Sequence, residues 1–224
     1  MFFGGYFYIL IPSILISLWA QMKVKSTFEK YSKVRCTSGY TGEQVARMLL
    51  DSCGLQNIPI EVVKGKLADH YDPIKKVMRL SQEVFFGTSV ASIGVAAHET
   101  GHAIQHKESY SPLILRNSIF PVVNISSSLS WGLVFIGIII GSSPFINLGI
   151  ILFTVVVLFQ LITLPVEFNA SNRAVGILEN RGIFVGNELD GARAVLSAAA
   201  MTYVAAVISS LAQLMRLILI SRDR

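Results

Sequence analysis

Apolar and polar residues divide this chain into four long apolar runs separated by one large and one smaller polar region. The first run, Phe2 to Trp19, contains Pro12 and is followed at once by Lys23, Lys25, Lys30, Lys33 and Arg35. Two more runs, Ile119 to Gly141 and Phe145 to Val166, are parted only by Gly141-Ser-Ser-Pro144. Each approaches the ~20 residues that an α-helix needs to cross the hydrocarbon core of a bilayer, so together they predict a transmembrane hairpin. A polar stretch from Glu167 to Arg193 leads into the last run, Val195 to Ile220, which Gln213 and Arg216 interrupt. It predicts a fourth span, the alternative being an interfacial helix from which Arg216 snorkels to the headgroups.

Between the first two runs, from Ser26 to about Ser118, the chain carries most of its charge, which marks an aqueous or interfacial part. Here Thr41-Gly-Glu-Gln44 has the spacing of a capping box. Val45, Met48 and Leu49 then recur at helical spacing until Gly54, predicting a helix over Gly42 to Cys53. Two β-rich stretches follow, Ile58 to Val63 and Ile74 to Leu80, joined by a segment punctuated by Gly65 and Asp72-Pro73. They predict a small hairpin or sheet edge, with Ile74 to Leu80 offered as an edge strand to which a peptide backbone can add.

Composition agrees with a bilayer as part of the solvent: 52% of the 224 residues are hydrophobic and only 15% charged, with a mean hydropathy of +0.57. The net charge of +5 reads as topology, because Lys and Arg gather beside apolar runs. They follow the first run and are missing from the N-terminus and the Gly141–Asn147 turn, which places the polar part in the cytoplasm. Arg222 and Arg224 fall on the opposite side if the fourth run spans, and this keeps the interfacial alternative open. The first run lacks the preceding basic residues and the small-residue cleavage site of a signal peptide, so it is expected to stay as an anchor. No aromatic-interleaved basic stripe and no Gly-rich phosphate loop is present, and nucleic acid is not an expected partner. Cys36 and Cys53 lack metal or redox spacing and read as unpaired thiols.

Chemistry concentrates in Val95-Ala-Ala-His98-Glu99-Thr-Gly-His102, an HExxH within a segment from about Thr88 to His106 of good helix-forming content. Residues four apart share a helix face, so both imidazoles can reach one zinc ion at the ~2.0–2.1 Å of a Zn–N bond. Glu99 projects to the side, as the base for a zinc-activated water. A catalytic zinc needs a third protein ligand and an open position. His106 continues the spacing but stands about 12 Å along the helix axis from His98, too far for one ion. Two acids remain. Glu188-Leu-Asp190-Gly resembles an element of intramembrane site-2 proteases, while Glu167 opens the polar segment just where the transmembrane hairpin returns the chain to the side it left. A carboxylate next to an apolar span needs a partner, which a metal supplies. Asp190 reads more simply as a first-turn acid of the last helix.

His98-Glu-Thr-Gly-His102, Asp69-His-Tyr-Asp-Pro73, Arg79-Leu-Ser81, Pro165-Val-Glu-Phe-Asn-Ala-Ser171 and Leu189-Asp-Gly-Ala-Arg-Ala-Val-Leu196 together resemble the YugP-like membrane zinc metallopeptidases over nearly the whole chain. More distantly, an HExxH followed after a transmembrane hairpin by Glu-Phe-x-Ala is similar to the HtpX-like and prenyl-protein (CAAX) membrane peptidases, which are gluzincins. The resemblance implies Glu167 as third ligand. The HtpX-like group has an acid four residues after that glutamate, where this chain has Ser171.

The resulting expectation is a mainly α, multi-pass membrane protein with a zincin-like HExxH helix and a small β hairpin or edge strand. Residues 1–224 form one metallopeptidase domain, with spans at about 2–20, 119–141, 145–166 and 195–220 and a cytoplasmic catalytic part at 23–118 plus 167–194. Located in the plasma membrane, it is expected to hydrolyse peptide bonds with Zn2+ held by His98, His102 and Glu167. His70 or Tyr71 is expected to stabilise the oxyanion, and Asn169, Asn172 and Arg173 to orient ligands or the carbonyl. Expected partners are a peptide or membrane-protein substrate and the lipid bilayer, with a homo-oligomer or a membrane-protein partner left open. The rival readings are a site-2-type protease using Asp190 and a non-catalytic scaffold holding a structural zinc.

Overall fold

The computed structural model describes residues 6–223. Phe2 to Gly5 of the first apolar run, and Arg224, lie outside the described residues. A turn of 3-10 helix, Phe7–Ile9, leads into α1 (Leu10–Tyr31), then α2 (Gly42–Ser52), β1 (Ile60–Val63), β2 (His70–Asp72), β3 (Val77–Ser81) and α3 (Gln82–Phe85). The remainder is helical: α4 (Val90–Lys107), α5 (Ser111–Ile140), α6 (Ser143–Asn180) and α7 (Asn187–Arg222). The protein is mainly α, and among the described residues four helical stretches, Phe7–Tyr31, α5, α6 and α7, are long and apolar enough to cross a membrane. The fourth apolar run is thus helical throughout, in one helix with the last residues of the polar segment, from Asn187 on.

Two compact units divide the chain. The first comprises residues 1–21, 111–165 and 201–224. Its helices pack through Val134, Phe153, Val157 and Leu217, and Ser130 donates to the Gly149 carbonyl at 2.8 Å. Side-chain hydroxyls of Ser17 and Ser209 meet at 2.9 Å, and the Arg216 guanidinium lies 4.0 Å from the centroid of the Phe7 ring. Ile125, Phe135, Ile139 and Ile151 point outward, the disposition that a lipid solvent requires of a helical bundle.

The second unit comprises residues 22–110 and 166–200 and holds all of the chemistry-bearing candidates. Helix α2 starts in the predicted capping box: Thr41 Oγ1 accepts from the Gln44 N–H at 3.2 Å and Gln44 Oε1 accepts from the Thr41 N–H at 3.0 Å. Gly54, at φ +68°, ends it. Helix α4 is central and buried almost all round. Its Ile93 and Ala97 join Val45, Leu49, Leu178 and Ala192 in one core, while Ala96 and Ala103 join Leu50, Ile58, Met78 and Leu80 in another. Such double-sided burial explains why α4 carries small apolar residues on opposite faces.

The sheet differs from expectation in its order, β1-β3-β2. Ile60 to Val63 run parallel to Met78 to Ser81, and the hairpin is formed instead by β2 and β3, with Tyr71 opposite Met78. Residues 64–76 supply the crossover that a parallel pair requires. Within them Asp72 Oδ1 accepts from the N–H groups of Ile74 and Lys75 at 3.0 and 2.9 Å, tightening a turn that returns the chain onto β2. β3 is therefore paired on both sides and is not the edge strand expected of Ile74 to Leu80; β1 and β2 are the edges.

Candidate metal centre

Helix α4 is capped by Ser89, whose Oγ accepts from the Ser92 N–H at 3.1 Å, and one helical turn carries His98 and His102 to the same face. Their ring centroids lie 4.7 Å apart at an interplanar angle of 83°. Helix α6 brings Glu167 against both: Oε2 stands 3.4 Å from His98 Nε2 and 3.5 Å from His102 Nε2. All three ligand atoms lie within 4.8 Å of one another, on side chains that are 14%, 12% and 3% exposed for His98, His102 and Glu167. Bonds of ~2.0–2.1 Å in tetrahedral directions separate two zinc ligands by about 3.3 Å, so the histidine–carboxylate spacings fit a single ion held by all three. Two imidazole nitrogens and one carboxylate oxygen leave the fourth position for water or substrate.

The far side of each ring is also engaged. His98 Nδ1 lies 3.2 Å from Ser171 Oγ and His102 Nδ1 lies 3.0 Å from Gln105 Oε1, which aims both Nε2 atoms at Glu167. Ser171, one helical turn after Glu167, thus meets His98 with a hydroxyl. Burial works against a proton on His102, but its hydrogen bond with Glu167 and the charges of Glu99 and Glu167 outweigh burial and raise its pKa. The pocket favours a cation between these side chains.

Glu99, 7% exposed, accepts a 2.9 Å hydrogen bond on Oε2 from the backbone N–H of Tyr71, so the edge of β2 fixes the carboxylate. The Tyr71 hydroxyl meets His106 Nδ1 at 2.9 Å, and burial pushes its pKa up. Alternation along β2 sets His70 on the opposite face. There its Nδ1 lies 2.8 Å from the Ala68 carbonyl and its Nε2 3.3 Å from Arg79. His106 pairs with the Tyr71 hydroxyl and is not one of the three clustered ligand groups. Asp190 occupies the first turn of α7, 75% exposed and 3.9 Å from Arg193. Among the described residues it is not part of any group able to hold a metal.

Gln105 is the residue that sequence reasoning missed. It is fully buried and donates from Nε2 to the Val166 carbonyl and to Asn169 Oδ1, both at 2.9 Å. Its signal was present: a polar side chain three residues after His102 on the same helix face, in an apolar helix. Asn172 and Ser171 line a cavity of about 540 Å³ together with Phe168, Val175, Leu196 and Ala200.

These features define a helical membrane protein with a buried His-His-Glu cluster suited to zinc. A family model described as "Putative neutral zinc metallopeptidase" matches residues 6–222, and the chain belongs to that family. It is 53% identical over 215 residues, 96% of each chain, to the Bacillus subtilis (strain 168) protein described as "Putative membrane protease YugP". No solved structure gives a significant match.

Proposed function

We propose that the protein is a membrane-bound zinc metalloendopeptidase of gluzincin type, cleaving peptide or membrane-protein substrates at the cytoplasmic surface of the plasma membrane. The observation that carries this reading is the convergence of His98, His102 and Glu167 within 4.8 Å, with a buried Glu99 held beside them by a β-strand N–H. Family membership points the same way. The cytoplasmic assignment rests on the Lys and Arg that follow the first span.

In this mechanism His98, His102 and Glu167 hold zinc, which when bound supplies Lewis-acid polarisation of a peptide carbonyl and acidifies water. Glu99 takes a proton from the attacking water as its oxygen bonds to the carbonyl carbon. The same carboxyl then gives that proton to the amide nitrogen as the C–N bond breaks. The backbone N–H of Tyr71 keeps the carboxylate aimed through both transfers. Of the two β2 side chains, Tyr71 has its hydroxyl on the α4 side, where it meets His106, and it is the candidate of the pair for stabilising the oxyanion.

Zinc content and cleavage of an unstructured protein by the detergent-purified chain test the reading. Near-stoichiometric zinc is expected in wild type and in Glu99→Gln, and is lost in His98→Ala and Glu167→Ala; cleavage is expected in wild type alone. Absence of bound metal in wild type, or full cleavage by Glu99→Gln, would sink it.

A further inference from the structure

Helices α4 and α6 are joined beside the metal cluster by an uninterrupted chain of polar contacts. His102 Nδ1 meets Gln105 Oε1 at 3.0 Å, and Gln105 Nε2 donates to the Val166 carbonyl and to Asn169 Oδ1, each at 2.9 Å. Arg173 Nε donates to the same Asn169 oxygen at 2.7 Å, and Arg173 donates through its other end to Glu108 Oε2 at 2.6 Å. Every middle member of this chain is an amide that could face either way, since its oxygen and nitrogen differ only in hydrogen-bonding role. The two fixed points cannot change role. A carbonyl, that of Val166, only accepts, and a guanidinium, that of Arg173, only donates.

Those fixed points determine everything between them. Arg173 requires an oxygen, so Asn169 presents Oδ1. Asn169 Oδ1 and the Val166 carbonyl both require a donor, so Gln105 presents its NH2 to them. Gln105 Oε1 is then the atom left facing His102, and an oxygen there requires a hydrogen on Nδ1. Reversing Gln105 alone would set its oxygen against two other oxygens. Reversing Asn169 as well would turn an NH2 on Arg173 and still leave Gln105 Oε1 against Val166.

We infer that Arg173, Asn169 and Gln105 are positioning residues that fix the orientation of His102 and hold a hydrogen on its Nδ1, so that Nε2 is the nitrogen left to bind metal. This rests on the zinc-site reading above and goes beyond it. It assigns a role to side chains that touch neither metal nor substrate, and it makes an ion pair at the surface, Arg173 with Glu108, the outer anchor of a ligand's protonation pattern. Partners of a metal-ligating histidine of this kind typically govern metal affinity by about 10–100-fold.

Substitutions at Asn169 separate this role from simple packing. Aspartate keeps an acceptor for both Gln105 and Arg173, whereas leucine has the same bulk and no acceptor. The measurement is the zinc dissociation constant of the full-length protein in detergent, by chelator competition. Asn169→Asp is expected within about threefold of wild type, and Asn169→Leu weaker by about 10–100-fold. Because leucine at this half-buried position could impair folding, Arg173→Met and Arg173→Lys repeat the test at the outer end of the chain of contacts. Methionine should weaken zinc binding several-fold, and lysine, still a donor, should restore part of it. Wild-type zinc binding with Asn169→Leu and Arg173→Met both within threefold overturns the inference alone, as does Asn169→Asp binding no better than Asn169→Leu. Wild type that binds no zinc overturns the metal-site reading and this inference with it.

Discussion

Gly101 of α4 packs directly on the backbone of Ala170 in α6: a Cβ at position 101 would stand 2.7 Å from the Ala170 carbonyl oxygen and 3.2 Å from its Cα. The glycine between Glu99 and His102 therefore sets the distance between the helix bearing both histidines and the helix bearing Glu167. Backbone atoms cannot swing aside as a flexible side chain can. Gly101→Ala should push the helices apart, lowering stability by about 1–3 kcal/mol and reducing zinc occupancy with it. Thermal midpoints with and without added zinc check this. An alanine variant as stable and as fully loaded as wild type would show that the contact does not set the site.

Ser171 Oγ approaches His98 Nδ1 at 3.2 Å, a neutral partner where a carboxylate would bind the ring more strongly. Ser171→Ala should therefore weaken zinc binding by roughly tenfold, at the low end of the range for such partners. Ser171→Asp should bind zinc at least as tightly as wild type, because a carboxylate raises the basicity of the imidazole it holds. Chelator competition on the three proteins gives the order directly. Equal affinity for all three would remove Ser171 from the site's support.

Much of this arrangement was legible in the chain. The capping box at Thr41, the HExxH helix and the apolar runs are local patterns, and local hydrogen bonding or burial decides them. Glu167 was reachable through the expectation that a transmembrane hairpin returns the chain to the side it left, an argument from topology that needs no coordinates. The strand order was not legible. β-rich composition marked Ile58 to Val63 and Ile74 to Leu80 but says nothing of direction, and the three residues of β2 are too few for alternation to stand out. Gln105 escaped notice for a related reason: its partners, Val166 and Asn169, lie about sixty residues away in sequence.

Asp72 closes the β2–β3 turn, and the backbone N–H of Lys75, with that of Ile74 and the Arg79 guanidinium, outweighs the smaller penalty of burial to hold its carboxyl below the usual range. A carboxyl with a lowered folded-state pKa stabilises the fold above its unfolded pKa, and that contribution disappears as pH falls through the folded value. Asp72→Ala should thus lower the thermal midpoint near neutral pH, and the gap from wild type should narrow on acidification below about pH 4. A gap independent of pH would mean that the carboxylate's charge has no part in the turn.

Tyr71 and His70 are adjacent in β2 and so point to opposite faces, which makes their roles separable. The Tyr71 hydroxyl lies on the α4 side, 2.9 Å from His106 Nδ1, and its backbone N–H holds Glu99. His70 faces Arg79 and solvent. When His106 donates to the hydroxyl oxygen, the phenolic hydrogen is released toward an oxyanion. Tyr71→Phe preserves the backbone bond to Glu99 and removes only that hydrogen. It should retain zinc and lose about 10²–10³ in kcat, the usual loss for one oxyanion donor. His70→Ala should stay within about threefold of wild type, because its contacts belong to the outer face of the sheet. The reverse pattern, a crippled His70→Ala beside an active Tyr71→Phe, would move oxyanion stabilisation to the other face of β2 and require β2 to turn over when substrate binds.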